Sequence, residues 1–236
     1  QYTFEDGQAA DDGGTYEGSL QGMASIVEMQ DGGHALYTGP ANQGGYMDLG
    51  KELPLAVQDI LMGDYAISVD LALPDVGRLK EYCWLYALAD GTDQYVGLVN
   101  SPNNTDWYYT VKDGDGSTDA HSGGLAYGRW HNLTYVQEGA VGRFYVDGRK
   151  TAEVAVGNRP DFSDGGAEAF LGRSPFEGDA FLGEAYIDNF RIYGQALDDA
   201  QVAALYAAVE SASAVSDDVE RQAVNLELGQ FLKKFN

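Results

Sequence analysis

Alternation of apolar and polar residues over short stretches constrains this chain more than any other feature of its sequence. In the clearest run, apolar side chains stand at every second position from Tyr65 to Leu73, and Pro74 ends the run. Side chains of a strand point alternately to its two faces, so this period predicts a half-buried β-strand. Further short runs follow, and turn residues rather than crossover helices separate them. That order predicts an antiparallel sandwich or barrel.

A hairpin signal in the second half of the chain supports this interpretation. Phe144 and Val146 stand at alternate positions, Asp147-Gly148 follows, and an alternating run resumes over 152–156. Asp-Gly between two such runs predicts a tight turn, because glycine accepts the positive φ that these turns require. The other predicted strands cover residues 26–29, 82–89, 95–99, 107–111, 130–136, 169–171 and 186–193.

Helical signals are confined to the end of the chain. Asp198 is a suitable N-cap and Gln201 stands three residues later, the spacing of a capping box, so a helix is predicted from there to about Glu210. A second helix is predicted from Ser216, and its apolar stripe consists of Val224, Leu228, Phe231 and Phe235. The sequence therefore predicts a sandwich over 1–208 and a helical tail or linker over 209–236.

Charge limits the partners of this chain. It carries 37 acidic and 14 basic residues, a formal net charge of −23. Such a surface repels nucleic acid and anionic membranes and favours neutral ligands and divalent cations, although an excess of acid is also a general adaptation to salt. No stretch approaches the ~18 continuous apolar residues that membrane insertion requires. Cys83 is the single cysteine, so no disulfide forms within the chain.

A series of short segments resembles the signature of one known family. In chain order they are YTFEDG at 2–7, WHNLTYV at 130–136, FYVDG at 144–148, FLGRS at 170–174, AYIDNFRIY at 185–193, AL at 196–197 and LY at 205–206. Together they resemble the laminin-G-like jelly-roll domain of the concanavalin A-type superfamily, over roughly residues 2–207. The resemblance is more specific for fold than for function.

The resemblance implies an all-β fold, an antiparallel two-sheet jelly-roll sandwich with short C-terminal helices, in which the first and last strands are neighbours. Domains of this kind occur in secreted, often bacterial, proteins that handle polysaccharides, frequently attached to glycoside hydrolases. It therefore implies a secreted, periplasmic or cell-surface location, a polysaccharide or oligosaccharide partner and an adjacent enzyme domain.

A structural calcium ion is also implied by the resemblance, at the place where the first and last strands meet. Matched by position, its ligands are Glu5 or Asp6 together with Asp188, completed by backbone carbonyls, and hard oxygen ligands suit Ca²⁺. By alternation Asp188 shares a face with Phe190 and Ile192, which predicts a carboxylate on the interior side that needs a partner. The alternative is a solvated Asp188, or one paired with an arginine.

A second acidic run resembles an EF-hand loop. Its oxygen-bearing side chains stand at alternate positions, and they include Asp113, Asp115 and Asp119. Glycine is missing at the sixth position and glutamate at the twelfth. A plain acidic loop is therefore the favoured interpretation.

Glycan binding requires aromatic faces, on which sugar C–H groups stack, and nearby amide and carboxylate groups. One loop-to-strand segment, between residues 100 and 109, combines both kinds of side chain, and an adjacent strand adds two more rings. The candidates are Asn103, Asn104, Asp106, Trp107, Tyr109, Trp84 and Tyr86. The alternative for each ring is packing inside the sandwich, which is where many such rings belong.

Catalytic signals are missing from the sequence. Sandwich-type glycoside hydrolases place paired carboxylates on one strand face at Glu-x-Asp-x-Glu-like spacing, and no such run occurs. His34, His121 and His131 do not have metal-ligand spacing, and no G-x-S-x-G motif is present. The favoured hypothesis is a non-catalytic carbohydrate-binding accessory module. A structural spacer or protein-interaction domain is the first alternative, and a hydrolase or lyase of unfamiliar type is the second.

Overall fold

The computed structural model describes residues 1–29, 31–40, 44–73, 79–114 and 116–210. Within these ranges the chain forms short strands, two helices and a single 3₁₀ turn at Pro102–Asn104. The strands are β1 Ser19–Gln21, β2 Ser25–Glu28, β3 His34–Tyr37, β4 Tyr46–Asp48, β5 Tyr65–Ala72, β6 Cys83–Asp90, β7 Gln94–Asn100, β8 Trp107–Asp113, β9 Ser117–Gly123, β10 Trp130–Glu138, β11 Val141–Val146, β12 Arg149–Ala155, β13 Ala167–Leu171 and β14 Tyr186–Tyr193. The helices are α1 Glu52–Leu61 and α2, whose described part covers 199–210.

Two antiparallel sheets of seven strands make up the fold. Sheet A has the order β1-β4-β13-β6-β7-β8-β9, and sheet B has the order β12-β11-β10-β5-β14-β3-β2. The predicted all-β jelly-roll sandwich is thereby confirmed. The hairpin predicted at Asp147-Gly148 joins β11 to β12, and both turn residues have positive φ, 53° and 71°.

Apolar side chains from the two inner faces form one continuous core. On β5, Ile67, Val69 and Leu71 point into this core, as their alternation predicts. The rings of Tyr109 from sheet A and Tyr135 from sheet B stack across it, with centroids 3.6 Å apart. Burial of this interface, at about 25 cal/mol per Å² of apolar surface, is the main force that holds the two sheets together.

The beginning of the chain lies beside the last strand. Tyr2 and Phe190 exchange both backbone hydrogen bonds, with N···O distances of 2.8 and 3.0 Å. Both rings are buried and lie 6.2 Å apart. The predicted neighbourhood of the first and last strands is therefore confirmed.

Helix α1 was not predicted, and the expectation of helix only at the end of the chain is wrong. Leu53, Val57 and Leu61 recur every four residues and are all buried, so they form the apolar stripe of a short amphipathic helix. Pro54 lies in its first turn, where a missing N–H does no harm. The stripe has only three residues. Leu53, Leu55 and Val57 also alternate as in a strand, so the helical period is not evident in the sequence.

Helix α2 begins where the capping box predicts. Asp198 and Gln201 exchange side-chain to backbone hydrogen bonds of 2.9 and 2.8 Å. Its Val202 packs with Leu197 against the outer face of sheet B, beside Ala66, Val136 and Tyr145. The expected domain boundary after residue 208 falls within this helix, and the second helix predicted from residue 216 lies outside the described residues. None of the helices described is long and apolar enough to cross a membrane.

An aromatic hollow on the outer face of sheet A

The outer face of sheet A carries an aromatic hollow of about 330 Å³. Strands β6, β7 and β8 supply its floor, and the 172–182 loop after β13 supplies one wall. Its rings belong to Tyr82, Trp84, Tyr95, Tyr108 and Phe176, and its two charged side chains are Asp119 and Asp179. Concave sites lined by aromatic rings and a few polar groups are typical of ligand-binding sites.

The indole of Trp84 is fixed within this hollow. Its ring lies 5.3 Å from Tyr95 and 6.0 Å from Phe176, both measured between centroids. Its Nε1 donates a 2.9 Å hydrogen bond to Asp179, whose Oδ2 also accepts a 2.6 Å hydrogen bond from Ser174. These contacts hold the indole in one orientation over the sheet.

Gly97 makes room for that indole. A Cβ at this position would stand 2.7 Å from the carbonyl oxygen of Tyr86, and nearer still to the ring carbons of Trp84. No side chain fits in that space. Strand β7 therefore has a residue without a side chain directly under the Trp84 ring.

Polar groups at the hollow face the rings. Asp119, on β9, has an Oδ1 shielded from solvent, and no hydrogen-bond partner for it occurs among the residues described. Burial raises the pKa of Tyr108, and the charges of Asp119 and Asp179 raise it further, so this phenol is a neutral hydrogen-bonding group at ordinary pH. The hollow thus combines ring faces with oxygen acceptors.

Three other depressions of the surface are less suited to a ligand of this kind. Two, of about 650 and 620 Å³, are lined without any aromatic ring, and the first contains the ion pairs of Arg143 and Lys150 with Glu153. The third, beside Tyr2 and Tyr16, has about 130 Å³, below the few hundred Å³ usual for a ligand site. The aromatic hollow is therefore the best candidate among the described residues.

Of the four aromatic candidates chosen from sequence, only Trp84 lies in the hollow. Trp107 and Tyr109 are 0% exposed, Tyr86 is 1% exposed, and all three belong to the core between the sheets. The expectation that these three rings present a face to a ligand is wrong. Their side chains follow the inward positions of β6 and β8, while those of Trp84 and Tyr108 follow the outward positions.

Two of the polar candidates between residues 100 and 109, Asn104 and Asp106, make hydrogen bonds within the protein. Asn104 accepts a 2.6 Å hydrogen bond from the Trp107 indole and donates one of 2.7 Å to the carbonyl of Leu125. Asp106 accepts the Gly123 N–H at 2.7 Å. Asn103 is exposed with a positive φ of 62° inside the 3₁₀ turn. None of the three lines the hollow.

The hollow contains residues that sequence analysis did not select. Tyr95 and Tyr108 stand at outward positions of β7 and β8, and the alternation of each strand could have placed them on the face of Trp84. Tyr82 is 48% exposed just before β6. Phe176 and Asp179 come from a loop, where no period predicts direction. Asp119 was considered only as a metal ligand, because its strand, β9, was not predicted.

The region proposed for calcium lies on the outer face of sheet B. Asp188 is the cross-strand partner of Asp70, and Asp70 points away from the core because its neighbours Val69 and Leu71 point into it. A bulge with positive φ at Asn189 interrupts the strand after Asp188. Asp188 therefore does not share a face with Phe190, and the expected interior orientation of its carboxylate is wrong.

The two carboxylates share an amide. Asn189 Nδ2 donates 2.9 Å hydrogen bonds to both Asp70 and Asp188. Burial raises the pKa of Asp188 to about 8, and the charges of Asp70 and Glu5 contribute to this shift. Burial likewise raises the pKa of Asp70 to about 6. Both carboxylates therefore lie where negative charge is poorly compensated.

The carboxylate oxygens here are of the kind that calcium binds, but they are fewer than its coordination shell requires. Among the described residues no group of three or more His, Cys, Asp or Glu side chains converges as metal ligands. Glu5 is close enough to affect the pKa of Asp188, whereas Asp6 is exposed and accepts the N–H of Gln8 at 2.9 Å. An ion beside Asp188 would need backbone carbonyls and water to complete its shell.

Asp113 and Asp119, the described aspartates of the second acidic run, do not converge as metal ligands. Asp113 ends β8, and its two oxygens accept hydrogen bonds from Asn158 Nδ2 at 2.7 Å and Arg159 N at 2.9 Å. Asp119 lies in β9 and faces the hollow, and Asp115 is outside the described residues. The EF-hand-like interpretation of Asp113 and Asp119 is thus contradicted by their placement.

Solved structures of other proteins share this architecture. Domain 4 of AbnA, an extracellular GH43 arabinanase from Geobacillus stearothermophilus determined in complex with arabinotriose, has a TM-score of 0.67 and 18% identity over 87% of this chain and 96% of its own. A botulinum neurotoxin type C structure, described as entering cells through interaction with two ganglioside molecules, has a TM-score of 0.62 and 14% identity over 86% of this chain and 50% of its own. The botulinum neurotoxin type G receptor-binding domain has a TM-score of 0.63 and 13% identity over 87% and 49%. Identities this low show a shared fold alone.

No curated protein sequence matches this chain. The sequence profile of one family, however, matches residues 65–203, more than half of the chain, which include β5 to β14 and the start of α2. The chain therefore belongs to the concanavalin A-like lectin/glucanases superfamily, as a member of its laminin-G-like branch.

Proposed function

We propose that this protein is a non-catalytic module that binds an oligosaccharide in the aromatic hollow on the outer face of sheet A. The observation that carries the proposal is the set of rings at the hollow, beside the carboxylates Asp119 and Asp179. Tyr82, Tyr108 and Phe176 are the accessible rings, and they lie around Trp84 and Tyr95, which are only 4% and 8% exposed. Ring faces contact the C–H surfaces of sugars, and carboxylates accept their hydroxyls. Contact on an open surface of this size predicts weak binding of each ligand unit.

The neighbours support a proposal about the kind of ligand and about the context of the protein. Domain 4 of AbnA is in complex with arabinotriose, and the neurotoxin binding domains include one that interacts with gangliosides. We propose that this chain likewise acts outside the cytoplasm, secreted, periplasmic or on the cell surface, next to an enzyme domain that handles polysaccharide. A net charge of −23 fits this proposal, because it is compatible with neutral polysaccharides.

Affinity electrophoresis in gels containing arabinan, xylan or galactan tests the sugar site. We expect at least one polysaccharide to retard the parent protein. Tyr82→Ala and Tyr108→Ala remove rings at the hollow without opening the core, so both should reduce retardation. Leu55→Ala is the matched control, since Leu55 is 47% exposed on α1, away from this face.

The outcomes separate the alternatives. Equal retardation of parent and both tyrosine variants would place the sugar elsewhere and contradict the proposed site. No retardation by any polysaccharide would favour the structural spacer or protein-interaction domain. Release of reducing ends from a retained polysaccharide would favour an enzyme, with Asp119 and Asp179 as the first carboxylates to substitute.

We also propose that calcium binds beside Asp188. Support comes from the raised pKa of Asp188, which burial and the nearby charges of Asp70 and Glu5 produce and which a divalent cation would offset. Binding to the folded state must raise the melting temperature. An unchanged melting temperature on adding calcium to chelator-treated protein would contradict the proposal, as would an equal rise in Asp188→Asn.

A further inference from the structure

The charges around the aromatic hollow are of one sign. Asp119 and Asp179 are the charged side chains that line it among the described residues. Lys112 lies over one ring of the hollow, with its Nζ 5.9 Å from the centroid of Tyr95. Its amine is paired with Asp93 at 3.0 Å. A ligand in the hollow therefore meets negative charge that no cation compensates among the lining residues described.

Asp119 has hydrogen-bonding capacity that the protein leaves unused. Its Oδ1 is shielded from solvent and has no partner among the residues described. By contrast, Oδ2 of Asp179 already accepts from Trp84 and Ser174. A shielded acceptor without a donor is unfavourable and is normally satisfied by water or by a ligand group that carries a proton. A sugar hydroxyl is such a group, whereas a second carboxylate or a sulfate is not.

Repulsion between close like charges makes the difference in affinity between neutral and acidic sugars large. Two unit charges about 6 Å apart near a protein surface repel by enough to change an equilibrium by tenfold or more. The tyrosines at the hollow do not offset this repulsion as charged groups, because Tyr108 and Tyr95 both have raised pKa values, through burial and through Asp119. They remain neutral hydroxyls that donate or accept.

We infer that the hollow accepts uncharged, hydroxyl-rich sugar units and rejects acidic ones, and that Asp119 is the residue that determines this specificity. The inference rests on the proposed function and adds to it the chemical class of the ligand. Uronic acids, sialic acids and sulfated sugars are excluded by the carboxylates at the hollow, and not merely by the charge of the whole protein.

The test compares matched neutral and acidic ligands. The probes are lactose against 3′-sialyllactose, fully methyl-esterified against de-esterified homogalacturonan, and arabinan as a further neutral polymer, all with chelator present so that calcium cannot bridge acid groups. Each is measured at low and at high salt, because salt screens the distant charges of the protein more than contacts within the hollow. Asp119→Asn removes the charge at the hollow. Asp59→Asn removes one exposed charge that does not line the hollow, and it gives the protein the same net charge as Asp119→Asn.

We expect the parent and Asp59→Asn to bind neutral ligands at least about tenfold more tightly than their acidic partners, with the preference surviving high salt. Asp119→Asn should reduce that preference severalfold. An acidic ligand bound as well as its neutral partner by the parent would overturn the inference and leave the proposed function standing. An unchanged preference in Asp119→Asn would also overturn it. Binding of no ligand by the parent would overturn both.

Discussion

The two outer faces of the sandwich differ in what covers them. On sheet B, the described part of α2 packs its Val202 against Ala66 and Val136, and a network of buried polar groups continues along the same face. On sheet A, the rings of Trp84 and Tyr108 line a hollow to which neither of the described helices contributes a residue. Both faces contain partly buried carboxylates and tyrosines. On the first face these groups make internal contacts, whereas on the second Tyr82, Tyr108 and Asp119 line the hollow.

The difference shows that residue type alone does not identify a site. Asp70 accepts hydrogen bonds from Asn132 at 2.7 Å and from Asn189 at 2.9 Å, so its oxygens are engaged within the protein. Asp119 has an oxygen without such a donor among the described residues. Both are aspartates at outward positions of a strand. The surrounding donors, which come from distant parts of the chain, decide which of them can bind something else.

The largest expected effect is on the covered face. Val202 is 0% exposed, and an aspartate in its place would bury an unpaired charge against sheet B. We expect Val202→Asp to lower the free energy of unfolding by about 3–5 kcal/mol. Chemical denaturation measures the loss. Ala204→Asp, at an exposed position of the same helix, should change it by under about 0.5 kcal/mol.

The loss of stability in Val202→Asp should not be accompanied by a loss of sugar affinity. If the two faces are independent, the folded fraction of Val202→Asp should bind the retained polysaccharide as the parent does. A lower affinity of the folded fraction would contradict the division between a structural face and a binding face.

A smaller effect is expected under the Trp84 ring. A methyl group at position 97 has no space, so Gly97→Ala must displace the indole or shift β7. Overpacking of this kind costs about 1–3 kcal/mol. Unlike Val202→Asp, this change should reduce sugar binding as well, because it moves a ring of the hollow. Gly157→Ala, where a Cβ meets nothing within 4 Å, is the control, and it should affect neither stability nor binding.

A third effect, on the covered face, is the dependence of stability on pH. The pKa values of Asp188 and Asp70 are raised in the folded protein to about 8 and about 6, and Arg191 only partly offsets the charges of Asp70 and Glu5. A raised folded pKa means that the native state binds more protons, so stability must fall as pH rises from about 4 towards 8. In calcium-free buffer we expect the melting temperature to fall over that range, and to fall less in Asp188→Asn.

The control for this experiment is the exposed Asp59. Asp59→Asn should retain the parent's dependence on pH, because it removes a charge without removing the buried pair. A melting temperature that rises between pH 5 and pH 8 in all three proteins would show that Asp70 and Asp188 are not the groups responsible.

Strand positions could be read from the sequence because alternation is a local signal. Strand β14 occupies the predicted residues 186–193, and the Asp147-Gly148 turn stands where predicted, since both depend on adjacent residues. Short or polar strands such as β1, β4 and β9 carry too few apolar residues to show a period. Helix α1 failed for a different reason: Leu53, Leu55 and Val57 alternate as in a strand, and this hides the helical spacing of the buried residues.

The candidate site was predictable only in part. Alternation divides the rings of β8 into inward Trp107 and outward Tyr108, but sequence does not say which face of a strand is the core. Here the answer depends on pairing with β7 and on the sheet opposite, both long-range features. The contribution of Phe176 and Asp179 depends on the path of a loop, which residue patterns do not encode.

The hydrogen bonds that fix Trp84 to Asp179, and Asp179 to Ser174, have a consequence for the energetics of recognition. Because the largest ring of the hollow is immobilised before any sugar arrives, association should freeze few protein torsions, and most of the lost entropy must come from the sugar. Among oligosaccharides with the same contacts, affinity should therefore increase with the stiffness of their glycosidic linkages.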